Sequence, residues 1–107
     1  MEEKCITKLV KSFLDIIVLS ILNNGPQHGY KIIADIHRNF GVLLSPGTLY
    51  PFLYSLEESK LVEVKAEKRK KVYFITSLGR REMFNMCKYY KLNIEKIFNF
   101  FNIELRT

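Results

Sequence analysis

Ser45-Pro46-Gly47-Thr48-Leu49-Tyr50-Pro51-Phe52-Leu53-Tyr54-Ser55-Leu56-Glu57-Glu58-Ser59-Lys60 runs straight into Leu61-Val62-Glu63-Val64-Lys65-Ala66. Glu67-Lys68-Arg69-Lys70-Lys71 and Val72-Tyr73-Phe74-Ile75-Thr76 follow. The hydrophobic period changes within this stretch. Leu49, Phe52, Leu53 and Leu56 recur at helical steps and face inward, with Thr48, Tyr54, Ser55 and Glu58 on the other side. Ser45 is a preferred N-cap and Pro46 suits the first helical position. Pro51 removes one backbone donor, which predicts a distorted first half of this helix. The helix ends near Ser59. From Leu61 the pattern alternates, which predicts two strands of a hairpin, Leu61–Ala66 and Val72–Thr76. The basic connection between them has no Gly or Asn, so propensity does not fix its turn type.

Working outward, Ile6 to Leu22 reads as a first helix, apolar nearly all round from Phe13 onward. Asn23-Asn24-Gly25-Pro26 ends it. A second helix covers about Gly29 to Asn39. Ile32, Ile33, Ile36 and Phe40 form its apolar face, Lys31, Asp35, Arg38 and Asn39 its wet face, and Gly41 suits the C′ position. Val42-Leu43-Leu44 reads as a brief extended segment. After the hairpin, Thr76 or Ser77 caps a fourth helix running to about Glu104. Met83, Cys87, Tyr90, Ile94, Ile97 and Phe101 form a heptad-like stripe along it, with Phe98 beside them. Such a helix spans roughly 40 Å, against the ~26 Å diameter expected of a domain this size. Part of the stripe therefore projects beyond its own domain, and a second copy is the economical cover.

The fold class that follows is mostly α with a small β-hairpin. It is a winged helix-turn-helix over residues 1–76 plus a long C-terminal dimerisation helix over 77–107, in one compact unit. A chain of 107 residues, 48% hydrophobic and 26% charged, is one globular domain rather than a disordered tail or a two-domain enzyme. Cys5 and Cys87 match no metal spacing and read as buried free thiols in a reducing cytoplasm. The N-terminus lacks signal-peptide order. The apolar run from Phe13 to Leu22, broken by Asp15 and Ser20, is too short to span a membrane. His28 and His37 have no acidic or cysteine neighbour at ligand spacing, so structural or capping roles are expected, with no metal and no cofactor. No nucleophile–base pair or phosphate-cradling Gly loop is present, which argues against an enzyme.

The net charge of +6 fits a partner such as nucleic acid, or plain solubility. Its distribution is more informative. From Lys60 to Lys71 six cations stand against Glu63 and Glu67. With the third helix in a DNA major groove, this hairpin is a wing. Lys68, Arg69, Lys70 and Lys71 then make phosphate contacts. The competing reading is a solvated turn that discourages edge pairing. The third helix carries only Glu57 and Glu58 as charges. It lacks the Arg or Lys that would grip guanine, and readout falls to Ser45, Thr48, Tyr50, Tyr54, Ser55 and the backbone donors of the helix start. Ser45 also reads as a pure N-cap, and Tyr50 and Tyr54 as packed rims of the core. Asp15 either pairs with a lysine or lies at a dimer junction.

Gly25-Pro26-Gln27-His28-Gly29-Tyr30, Ser45-Pro46-Gly47-Thr48-Leu49-Tyr50-Pro51, Leu53-Tyr54-Ser55-Leu56-Glu57 and Lys71-Val72-Tyr73-Phe74-Ile75-Thr76 with Gly79 closely resemble the PadR family of winged-helix transcriptional regulators. The resemblance runs from about Leu14 to Met83 and looks like the shorter subfamily with a single C-terminal helix. It implies a homodimeric DNA-binding repressor whose C-terminal helix contacts the partner's N-terminal region. It implies that Ser45, Gly47, Thr48 and Tyr50 lie at the DNA and that Lys68 to Lys71 form the wing. Some relatives bind planar aromatic effectors in a cavity at the dimer interface. This chain departs in two places: Ser55 stands where the family usually carries a basic residue, and there is no Trp.

The expected function is therefore a dimeric, sequence-specific regulator of transcription, acting on double-stranded DNA as a repressor. The alternatives are a winged-helix module that binds a protein and a non-specific architectural DNA-binding protein.

Overall fold

A computed structural model describes residues 1–101. The element order is α1 (Glu2–Ser12), α2 (Leu14–Asn23), β1 (Gln27–His28), α3 (Gly29–Phe40), α4 (Pro46–Glu58), β2 (Val62–Glu67), β3 (Lys70–Ile75) and α5 (Ser77–Phe100). The expected continuation of the last helix to Glu104 lies outside the described residues. Fully buried Leu19 and Leu22 from α2, Ile32 and Ile36 from α3, and Leu49 and Leu53 from α4 make the three-helix core. Val62 and Tyr73 close it from the hairpin side. Between α3 and α4, Val42 and Leu44 point into the core and Leu43 out, as an extended segment requires.

Four expectations need correction. The first helix is two helices, broken at Phe13, whose backbone leaves helical geometry (φ −106°, ψ 20°). Asp15 explains the break. Its Oδ1 accepts from the Ile16 N–H at 2.8 Å in the first turn of α2. Its Oδ2 accepts from the Tyr90 hydroxyl of α5 at 2.6 Å, while the Phe13 ring meets Tyr90 edge-on at 4.9 Å. Burial, reinforced by the Asp15 carboxylate, pushes the Tyr90 hydroxyl up to about 12. Asp35 is buried rather than wet, at 8% exposure. It faces the groove between α2 and α3, where Arg38 donates to it at 2.8 Å. Cys5 and Cys87 are exposed, because neither α1 nor α5 is covered on the face that carries its cysteine. Pro51 does not interrupt α4. The carbonyl it leaves without a helical donor belongs to Gly47, four residues earlier, in an exposed turn open to water.

The sheet has three antiparallel strands in the order β1-β3-β2, one more than the hairpin expected. Gln27 and His28 pair with Tyr73 and Val72. In the hairpin, Glu67 faces Lys70 and Val62 faces Ile75, so the strands extend closer to the tip than the alternation suggested. Only Lys68 and Arg69 remain as the turn, and Lys68 takes a left-handed backbone (φ 59°) in place of the usual Gly or Asn. Thr76 closes the hairpin's base. Its hydroxyl donates to the Lys60 carbonyl at 2.7 Å and accepts from the Gly79 N–H at 2.9 Å, capping α5. A Cβ on Gly79 would collide with the Leu61 carbonyl, so only glycine lets α5 press this closely on the hairpin.

Helix α5 leaves the core as it proceeds. Of the stripe, Met83 is buried within its own chain, Tyr90, Ile94 and Phe98 are half-buried, and Cys87, Ile97 and Phe101 are exposed. The described chain measures 53 × 30 × 21 Å with a radius of gyration of 15.1 Å. A globule of this length has a radius near ~13 Å. Among the described residues no helix is long and apolar enough to cross a membrane.

Candidate nucleic-acid interface

The start of α4 is built around Ser45. Its Oγ accepts from the Thr48 N–H at 3.2 Å and donates to Thr48 Oγ1 at 3.1 Å, so the hydroxyl is committed to capping. The Leu49 N–H reaches the Ser45 carbonyl at 3.0 Å. Pro46 has no N–H. Among the described residues, the unspent backbone donor of this turn is therefore that of Gly47, and the Thr48 hydroxyl keeps its own hydrogen. Gly47 also leaves bare space. A Cβ there would have only Ser45 Oγ, at 3.8 Å, within 4 Å. Its φ is not positive, so neither packing nor backbone conformation within the chain demands glycine.

The other α4 candidates divide. Tyr54 is exposed (61%), and hydrogen bonding with the Glu58 carboxylate one turn on raises its hydroxyl above the usual tyrosine range. Ser55 is exposed, but its hydroxyl donates to the Phe52 carbonyl at 2.6 Å, which leaves it only as an acceptor. Tyr50 is half-buried. Its ring covers Gly29 so closely that any side chain there would overlap it, and it meets Tyr30 edge-on at 6.2 Å. Burial raises the Tyr50 hydroxyl. Tyr50 therefore fastens α4 to the start of α3, with its hydroxyl edge against Gly29.

This packing connects the two candidate surfaces. Tyr50 lies on Gly29, Gly29 follows His28, and His28 Nδ1 stands 3.3 Å from the Lys71 carbonyl oxygen of β3. The short strand β1 thus stitches the start of α4 to the wing. Lys68, Arg69, Lys70 and Lys71 are all exposed at the wing. Lower on the hairpin the Lys65 ammonium sits 5.1 Å from the centre of the Phe74 ring. An exposed helix start with a free amide and hydroxyl, joined rigidly to a cationic hairpin, is suited to a polyanion with a groove.

Sequence reasoning missed β1 and gave His28 only a structural or capping role. A two-residue strand has no alternation to detect, and its only trace is the glycine at position 29 that the Tyr50 ring requires.

Residues 18–85 match the family described as the transcriptional regulator PadR-like family. The chain belongs to that family. Among curated relatives, an uncharacterised 37.1 kDa protein in transposon TN4556 of Streptomyces fradiae is 40% identical over 77 residues, 67% of this chain and 22% of that protein. The transcriptional activator GvpE2 of Halobacterium salinarum is 32% identical over 66 residues, 61% of this chain and 34% of the activator. The chain spans between a fifth and about a third of the length of these relatives. Among solved structures, a transcriptional regulator from Clostridium thermocellum superposes with a TM-score of 0.79 at 26% identity, covering 87% of this chain and 97% of that one. A PadR-like transcriptional regulator from Bacillus cereus shares the fold with a TM-score of 0.75 at 22% identity, covering 91% and 99%. The helix-turn-helix, the wing and the long last helix of this PadR-like chain are thus the features of a winged-helix regulator.

Proposed function

We propose that this PadR-like chain is a sequence-specific DNA-binding regulator that works in the cytoplasm as a homodimer, without cofactor or catalysis, and represses by occluding a promoter. The carrying observation is the rigid union of the α4 start with the wing. Gly47 and Thr48 offer free donors at a helix terminus where a groove edge approaches without hindrance, and four wing cations supply sequence-independent attraction. The wing supports affinity; the cation-free α4 supports readout by hydroxyls, backbone donors and groove shape.

The homodimer is supported by the outer half of α5. Tyr89, Leu92, Ile97, Phe100 and Phe101 are exposed there, with Phe100 at 81%, and α1 adds exposed Leu9. A patch of this kind on a helix that outruns its core is suited to a second copy. Two-fold pairing then sets half-site centres about 34–36 Å apart.

The test is fluorescence anisotropy against random duplex and against the DNA upstream of the chain's own gene, at two salt concentrations, with solution mass measured in parallel. The expected result is twice the chain mass of 12.6 kDa, preference for one duplex, and affinity that falls with salt by about 0.9 log unit per log unit for each neutralised phosphate. Absence of DNA binding would move the function to a protein partner, and equal binding to both duplexes would make the chain architectural. Activation is a second reading, because three of the curated relatives are named transcriptional activators. A promoter–reporter assay with and without the chain separates the two signs.

A further inference from the structure

Beside the wing tip lies a cleft of about 520 Å³ lined by His28, Glu67, Lys68, Arg69 and Lys70. His28 enters it from β1, on the other side of β3 from β2. Its Nδ1 is 3.3 Å from the carbonyl oxygen of Lys71. A carbonyl only accepts, so the tautomer that makes this bond is the one with the ring's hydrogen on Nδ1. In the neutral ring Nε2 then carries a lone pair and can only accept. A phosphate oxygen, itself an acceptor, finds no donor at Nε2 until the ring takes a second proton from solvent and becomes imidazolium.

We infer that His28 is a DNA-backbone contact that engages a phosphate only as imidazolium, so that each protomer takes up a proton as it binds DNA. The inference rests on the DNA-binding reading above and deepens it. Three facts make the cleft suited to this. It opens between the wing cations and the strand that ties them to α4, so a backbone that follows the wing passes it. Lys68, Arg69 and Lys70 line it, so a phosphate entering it meets cations as well as the ring. The one carboxylate in its lining, Glu67, faces Lys70 across the hairpin. The other charged or titratable groups near His28 are Lys71, which supplies the accepting carbonyl, Tyr30 and Lys31 on the first turn of α3, Tyr50 of α4, whose ring lies on Gly29, and Tyr73 of β3, opposite Gln27. His37, the second histidine, is exposed in the last turn of α3 and serves as a control.

The experiment measures DNA affinity at fixed ionic strength at about pH 5.5 and about pH 8, the range histidine spans. It compares wild type, His28→Asn, His28→Gln and His37→Asn. Asparagine keeps a donor near the Nδ1 position and has nothing at Nε2; glutamine offers a permanent neutral donor further out. Wild type and His37→Asn are expected to bind more tightly at the acid end by about tenfold per protomer, the worth of one charge-assisted hydrogen bond, or about a hundredfold for a dimer that engages both. His28→Asn is expected to bind equally at both pH values, near the wild-type alkaline affinity. His28→Gln is expected to be equally flat but tighter. Calorimetry near neutral pH in buffers of different ionisation enthalpy is expected to report uptake of about half a proton per protomer for wild type, as a tenfold gain per site implies, and none for either His28 variant. A wild-type acid gain that survives in both His28 variants overturns the inference while leaving the DNA-binding reading intact. Wild type that binds no duplex at either pH overturns that reading itself. Thermal melting of each variant shows that a flat profile comes from folded protein.

Discussion

Between Ser45 and Ser59, α4 carries no cation, and three of its leucines are buried in the core. Between Glu67 and Lys71, the wing carries four cations and buries none of its side chains. One element is held firmly and presents little charge; the other presents charge and is held by strand pairing, by the His28 contact with Lys71 and by its base at Thr76. Position and attraction are therefore separable in this molecule. A surface built this way is expected to lose affinity when the wing is neutralised and discrimination when α4 is altered.

Removing the charge of the wing is expected to have the largest effect. Replacing Lys68, Arg69, Lys70 and Lys71 by Ala deletes up to four phosphate contacts. Affinity for any duplex is expected to fall about a hundredfold or more near 0.1 M salt, with the salt slope shallower by up to about 0.9 for each phosphate no longer neutralised. Melting temperature is expected to stay close to wild type, because none of the four side chains is buried. Anisotropy across a salt series gives both numbers. An unchanged affinity would mean that the wing does not touch DNA.

The opposite half of the comparison is probed by Gly47→Ala. A methyl group there meets nothing closer than Ser45 Oγ, and alanine suits a helix better by up to about 1 kcal/mol. The variant is expected to melt at or slightly above the wild-type temperature. DNA affinity is nevertheless expected to fall about tenfold, because the methyl occupies the space through which a groove edge reaches the free amide. Stability and binding moving in opposite directions is the signature. A fall in both would assign Gly47 to folding instead.

The sequence made the α4–hairpin transition legible because two different periods meet at Leu61, and Ser45-Pro46 marks a helix start that needs no tertiary information. The four wing cations and the exposure of Thr48, Tyr54 and Ser55 followed from the same periods. What escaped depends on distant partners. The break at Phe13 lies where Tyr90, far along the chain, donates to Asp15, and no local pattern announces that bond. Asp35 looked wet on its own helix and is buried because α2 lies beside it. The cysteines looked apolar and are exposed because a stripe shows only that a face needs cover, not that its own chain supplies it. Tyr50 was open between contact and packing, and the ring on Gly29 makes it a fastener.

The Tyr90–Asp15 bond is a third region against which to measure the other two, since it ties α5 to the α1–α2 break and lies outside the candidate interface. Folding raises the Tyr90 hydroxyl from an ordinary 10.0 to about 12. The protonated form is the one the fold favours. Its contribution is full below pH 10 and is lost as pH rises toward 12. Tyr90→Phe is expected to cost about 1–2 kcal/mol at neutral pH, since it leaves a partly buried carboxylate oxygen without its donor. It is also expected to remove that alkaline loss. Chemical denaturation at neutral and alkaline pH checks both, and DNA affinity per folded chain is expected to hold.

The finest test lies within the wing, where Lys68 combines two roles that the quadruple variant removes together. Its ammonium is one of the four cations, and its backbone holds the left-handed conformation (φ 59°) that a two-residue hairpin turn needs. An L-residue other than Gly, Asn or Asp adopts that conformation at a cost of roughly 1 kcal/mol. Lys68→Asn relieves part of that cost and deletes one charge. The turn is expected to become firmer, with a gain of at most about 0.5 kcal/mol, while the salt slope drops by about 0.9 and affinity falls only severalfold. If wing rigidity governed binding, the variant would bind more tightly than wild type. If charge governs, as the exposure of all four side chains implies, it binds more weakly from a firmer turn. The sign of that one change decides whether the hairpin acts on DNA by its shape or by its cations.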